Sequence, residues 1–78
     1  FNNYTKRLRQ NYPLLTEEDI QCCCLIKLQL STSAIARLYG IAPPSVTKRK
    51  QRIKERINQA KAGLIGREQP VDVYLWGY

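Results

Sequence analysis

Residues 31–57, STSAIARLYGIAPPSVTKRKQRIKERI, hold two short apolar-periodic segments that meet at a sharp break around Gly40. From Lys48 to Arg56 six of nine residues are Lys or Arg, yet Val46, Ile53, Ile57 and Ala60 recur at spacings of seven, four and three. At about 100° per residue these four fall within about 60° of one another, an apolar stripe along one side of a helix. The opposite side carries Pro44, Thr47, Lys48, Gln51, Arg52 and Glu55. One face is patterned to pack and the other to meet an anion.

Working outward, Ser31 has the position of an N-cap for a helix of about two turns, with Ile35, Ala36, Leu38 and Tyr39 expected inward. Gly40 supplies the left-handed residue that ends this helix, and Ile41 is expected to return to the core. Ala36 matters because two helices crossing steeply after a short turn approach where a larger side chain would separate them. Ala36, Gly40, Ile41 and Val46 have the spacing of a helix-turn-helix, and a basic helix follows it.

Upstream, residues 15–30 predict a helix capped by Thr16, with Glu17, Glu18 and Asp19 placed against its positive end and Leu15 stapled onto Ile20. It is apolar on nearly all sides, with Ile20, Cys22, Cys23, Ile26 and Leu30 on one arc and Cys24, Leu25 and Leu28 elsewhere. Such a helix is expected at the centre of a small bundle. Residues 1–12 predict a further helix with Phe1, Tyr4, Leu8 and Tyr12 on one side, stopped by Pro13. Its Lys6, Arg7 and Arg9 fit a solvated face or a second phosphate-contacting patch equally well. Residues 63–78 loosen at Gly63 and Gly66. Pro70 then opens a segment with Val71, Tyr74, Leu75, Trp76 and Tyr78, expected as a short helix that packs on the bundle or joins two copies.

A chain of 78 residues is one small domain with a single compact core. Its net charge of +7 is concentrated: residues 43–62 hold seven cations against Glu55, a balance of +6. No run approaches the ~20 apolar residues of a membrane span. Opening on Phe1 rather than Met, the sequence is expected to be a piece of a longer chain. Adjacent Cys22, Cys23 and Cys24 point about 100° apart on a helix, so no two can close a bridge and no three can share a metal; core packing in a reduced, cytoplasmic setting is the expectation. With no His, no nucleophile beside a base, no paired carboxylates and no glycine-rich phosphate loop, the sequence points away from an enzyme, a metal site, a cofactor or a small-molecule substrate.

Leu15-Thr16, Ser31, Ile35-Ala36, Ile41, Ser45-Val46, Ile53 and Ile57 resemble the pattern of the LuxR-type (GerE-like) helix-turn-helix domain. YPLLTEEDIQCCCLIKLQLSTSAIA with SVTKRKQRI is most similar to the C-terminal DNA-binding domains of Bacteroidetes transcriptional regulators, over about residues 12–57. The resemblance implies an all-α, tetrahelical bundle, here with an extra N-terminal helix. It further implies sequence-specific binding of double-stranded DNA by the output domain of a bacterial, nucleoid-associated regulator, with the recognition helix, about residues 44–60, in the major groove. A last helix serving dimerisation is also implied, here residues 71–78, and membrane anchoring of the parent protein stays open. Domains are thus expected at 1–13 (a linking helix), 14–62 (the helix-turn-helix) and 63–78 (a packing or dimerisation element).

Departures from the pattern are specific. Ala42 stands where the family caps the recognition helix with Ser, Pro43-Pro44 follow it, Arg49 replaces a common His, and Gln29 replaces the Gly that closes the first long helix. A helix starting at Pro44 rather than Pro43 is compatible with the restriction on residues that precede proline. Arg49 and Arg52 bring the stretch close to the promoter-reading domain of bacterial sigma factors, which stays as an alternative, as does an interaction module docking on RNA polymerase or another acidic partner. Helix geometry assigns Thr47, Lys48, Gln51 and Arg52 to base edges, where Gln pairs with adenine, Lys with guanine and a Thr methyl with thymine. Ser45, Arg49, Lys54 and Arg56 on the flanks, with Thr32 and Ser33 at the start of the preceding helix, are assigned to phosphates.

Overall fold

The computed structural model describes residues 2–78, and the expected inward placement of Phe1 lies outside them. Among the described residues the chain forms five helices: α1 (Asn2–Asn11), α2 (Glu17–Lys27), α3 (Thr32–Tyr39), α4 (Pro43–Ala60) and α5 (Val71–Gly77). None is long and apolar enough to cross a membrane. α1, α4 and α5 pack around α2, and α3 packs on α4, giving the all-α bundle expected from the periodicity.

Each boundary has a local cause. Thr16 starts α2 through a full capping box: its Oγ1 accepts the Asp19 N–H at 3.1 Å and the Asp19 carboxylate accepts the Thr16 N–H at 3.0 Å. Ser31 Oγ accepts the Ala34 N–H at 3.1 Å and so starts α3. Gly40, at φ 66°, ends it, and the Ile41 N–H returns to the Ala36 carbonyl at 3.0 Å. The turn into α4 is therefore closed by backbone hydrogen bonds.

Two boundaries differ from the expected ones. α2 stops at Lys27 rather than running to residue 30, because Gln29 takes the left-handed conformation at φ 64° and reverses the chain. α4 begins at Pro43 rather than Pro44. Ala42 adopts the extended conformation that a following proline favours (φ −73°, ψ 146°), and the ring of Pro43 presets the first helical φ.

The core is one cluster. Tyr4, Leu8 and Tyr12 of the N-terminal segment, Ile20, Cys22, Cys23 and Ile26 of α2, Ile35 and Ala36 of α3, Val46, Ile53 and Ile57 of α4, and Val71 and Leu75 of α5 are all buried. Each fully buried Leu or Ile contributes ~1.5–3 kcal/mol relative to exposure. The cysteines are free; Cys22 and Cys23 are buried, and burial pushes their thiols above the ordinary value. They fill the core and offer little nucleophilic thiolate.

One expectation about apolar surface is corrected. Leu38, expected inward, is 65% exposed. On a helix of eight residues that buries Ile35 and Ala36, position 38 lies well round from their shared face. The 71–78 segment, expected as a short helix that packs on the bundle or joins two copies, places Val71 and Leu75 in the core and leaves Val73 and Trp76 exposed. Trp76 Nε1 donates to the Ile26 carbonyl at 2.9 Å, and Lys27 Nζ donates to the Trp76 carbonyl at 2.6 Å. The segment therefore packs on the bundle.

Candidate nucleic-acid interface

α4 is 18 residues long, about 27 Å at 1.5 Å per residue. Val46, Ile53 and Ile57 fix its inner side. Pro44, Thr47, Lys48, Gln51 and Glu55 are exposed along its outer side. Three of the four residues assigned to bases, Thr47, Lys48 and Gln51, therefore share one open face. Thr47 Oγ1 bonds back to the Pro43 carbonyl at 3.4 Å, which orients its methyl without burying it.

The fourth, Arg52, is turned away. Its Nη2 donates to Asp19 Oδ1 at 3.1 Å, and Arg56 Nη1 donates to Asp19 Oδ2. Asp19 is fully buried, while the side chains of Arg52 and Arg56 are 43% and 29% exposed. Burial alone would raise the Asp19 pKa; the Thr16 N–H and the two guanidinium groups outweigh it and hold the carboxyl below its ordinary value. This acid ties the first turn of α2 to the second half of α4, so Arg52 and Arg56 brace the helix.

The remaining flank cations are also engaged. Arg49 lies over the Tyr39 ring, 4.8 Å from its centroid, with Glu18 at 3.8 Å. Lys54 Nζ donates to the carbonyls of Arg67 at 2.8 Å and Gln69 at 2.6 Å, pinning the loop before α5. Lys50 Nζ donates to Thr32 Oγ1 at 2.9 Å and pairs with Asp72 at 2.7 Å. Ser33 and Ser45 are exposed. On α1, Arg9 pairs with Glu17 at 2.9 Å, and Arg7 donates to the Tyr78 carbonyl at 3.0 Å; Lys6 is exposed. Both Arg7 and Arg9 of the possible second patch are thus tied to the fold.

The structure accordingly brings Thr47, Lys48 and Gln51 together with Ser45 nearby, and directs Arg49, Arg52, Lys54 and Arg56 into contacts that hold α4. Three residues whose ionic partners sequence reasoning did not foresee are central here: Asp19, read only as a charge at the start of α2, together with Lys50 and Asp72. Asp19 falls on the arc of Cys22, Cys23 and Ile26, and Lys50 follows Val46 by four and precedes Ile53 by three. A charge at the period of an apolar stripe is the available signal for a buried ionic partner. Asp72 gives no comparable signal.

Two concavities flank the helix pair. One, of about 220 Å³, runs between α3, α4 and α5 beside Thr47 and Gln51 and contains Lys50, Lys54 and Asp72. The other, of about 420 Å³, is lined by Leu30, Ala34, Arg37 and Leu38. Among the described residues no cluster of His, Cys, Asp or Glu has the makings of a metal site. Comparison with protein-family models, with curated proteins and with solved structures finds no match.

Proposed function

We propose that this domain binds double-stranded DNA sequence-specifically, as the output module of a bacterial transcriptional regulator, with α4 in the major groove. The observation that carries the reading is the outer row Pro44, Thr47, Lys48 and Gln51, exposed on a helix held by its buried inner side and by ion pairs to Asp19 and Asp72. The major groove is about 12 Å wide and admits one α-helix, and rigid presentation lowers the ordering cost of reading base edges. The sequence likeness to LuxR-type domains supports the same reading.

In this account Gln51 and Lys48 meet bases, Thr47 offers its methyl to thymine, and Ser45 and Ser33 reach phosphates. Glu55, on the same outer side, suits a cytosine amino group. Selection of bound duplexes from a random pool tests the proposal. A shared short motif is expected, and failure to enrich any sequence would overturn specific recognition.

A protein-interaction reading distinct from docking of the basic helix on RNA polymerase or another acidic partner draws on a separate observation, the groove around the 65% exposed Leu38. Leu38→Lys separates the two: it spares DNA binding if α4 is the active face and abolishes partner capture if the α3 groove is.

A further inference from the structure

The groove between α3, α4 and α5 contains an arrangement that the base-reading row does not explain. Lys50 and Asp72 line it, with side chains only 13% and 19% exposed and 2.7 Å apart. Lys50 Nζ also holds Thr32 Oγ1 at 2.9 Å, and Lys54 approaches from the next turn. Exposed Thr47 and Gln51, two of the residues assigned to bases, line the same groove. A volume of about 220 Å³ is several times the ~30 Å³ share of one water molecule, so the groove has room for a tetrahedral anion.

Resting on the DNA-binding reading, we propose that this groove seats a backbone phosphodiester of the bound duplex, and that the Asp72 carboxylate occupies the phosphate's place in the free protein. A carboxylate and a phosphodiester present the same chemistry to an ammonium: a single negative charge spread over oxygen acceptors. When α4 enters the groove of DNA, Lys50 exchanges Asp72 for phosphate, with Thr32 Oγ1 and Lys54 beside it. The displaced carboxylate then lies near the phosphate and takes up a cation from solution. That uptake cancels the counterion released by the Lys50 contact. Asp72 thus lowers affinity on every sequence alike, and makes binding depend more heavily on the base contacts of Thr47, Lys48 and Gln51. No covalent step is involved.

The test compares Asp72→Asn with Glu68→Gln, which removes the same charge from an exposed residue outside the groove. Equilibrium binding of each full chain to a selected duplex and to a scrambled one is followed over a range of salt. Asp72→Asn is expected to tighten binding to both duplexes about five- to tenfold at low salt and to steepen the salt slope by about one unit. Glu68→Gln is expected to change binding less than about twofold. Adding Lys50→Gln to Asp72→Asn should remove the gain. Thermal melting verifies folding, and Asp72→Ser replaces the Asn variant if that one does not fold. Equal effects of Asp72→Asn and Glu68→Gln, or a gain that survives Lys50→Gln, would overturn the groove assignment while leaving the recognition helix in place. Absence of DNA binding by the parent and all variants alike would overturn both.

Discussion

Asp19→Asn is the substitution that most sharply probes how α4 is held. It keeps the side-chain volume and one acceptor for the Thr16 N–H, but removes the charge that two guanidinium groups share. Breaking a buried ion pair from one side costs about 3–5 kcal/mol when the surviving charge is fully buried. Here the stranded arginines are 43% and 29% exposed, so solvent recovers part of the loss and about 2–3 kcal/mol is expected. With a urea m-value of roughly 1 kcal/mol per molar for a domain this small, the midpoint should fall by about 2 M. Glu17→Gln, which removes an exposed pairing with Arg9, serves as the control and should move it little. The linked pH effect has a defined sign. The folded pKa of Asp19 is depressed, so its contribution is present above the unfolded value of ~3.9 and is lost as pH falls through the folded one. The Asn variant should lack that part of the acid destabilisation. A midpoint shift below about 0.5 M, or identical acid profiles, would refute the bracing role.

Three other substitutions probe separate links. Gln29→Gly should stabilise the domain by about 0.5–1 kcal/mol in chemical denaturation, since Gln29 sits at φ 64° where glycine carries no Cβ penalty; destabilisation would place the gain elsewhere. Ala36 is 2% exposed on α3, which packs on α4, so Ala36→Leu should cost about 1–3 kcal/mol by overpacking and weaken the proposed DNA binding; an unchanged melting curve would place the helix crossing elsewhere. Truncation after Pro70 removes Val71 and fully buried Leu75, whose loss alone is worth about 2–5 kcal/mol, and should abolish cooperative unfolding. A folded truncated domain with weakened self-association would instead assign this segment to dimerisation.

Much of the bundle is legible in the sequence because its signals are local. Thr16, Ser31 and Gly40 act on N–H and carbonyl groups within a few residues, and the stripe of Val46, Ile53 and Ile57 needs only helical period to be seen. The functional surface is harder to read because a cation looks the same in sequence whether it faces water or an acid. Arg52 and Arg56 are spent on a carboxylate 33 and 37 residues away, and Lys50 on one 22 residues ahead. Subtracting those contacts leaves Lys48 as the exposed cation of the central outer row, beside neutral Thr47 and Gln51. A run of basic residues that suggests a highly charged anion-binding face is, in the fold, largely engaged in holding α4 to its neighbours. Leu38 shows the converse, an apolar residue at near-helical spacing that a two-turn helix leaves in solvent.

The central claim, that the outer row of α4 reads DNA sequence, is tested most directly by Gln51→Ala. Fluorescence anisotropy would measure the parent and the variant on a selected duplex and on a scrambled one across a range of salt. If Gln51 meets a base and neutralises no phosphate, a loss of about 1–3 kcal/mol is expected on the selected duplex alone, with the salt slope unchanged. Equal losses on both duplexes, or no preference by the parent for either, would contradict it.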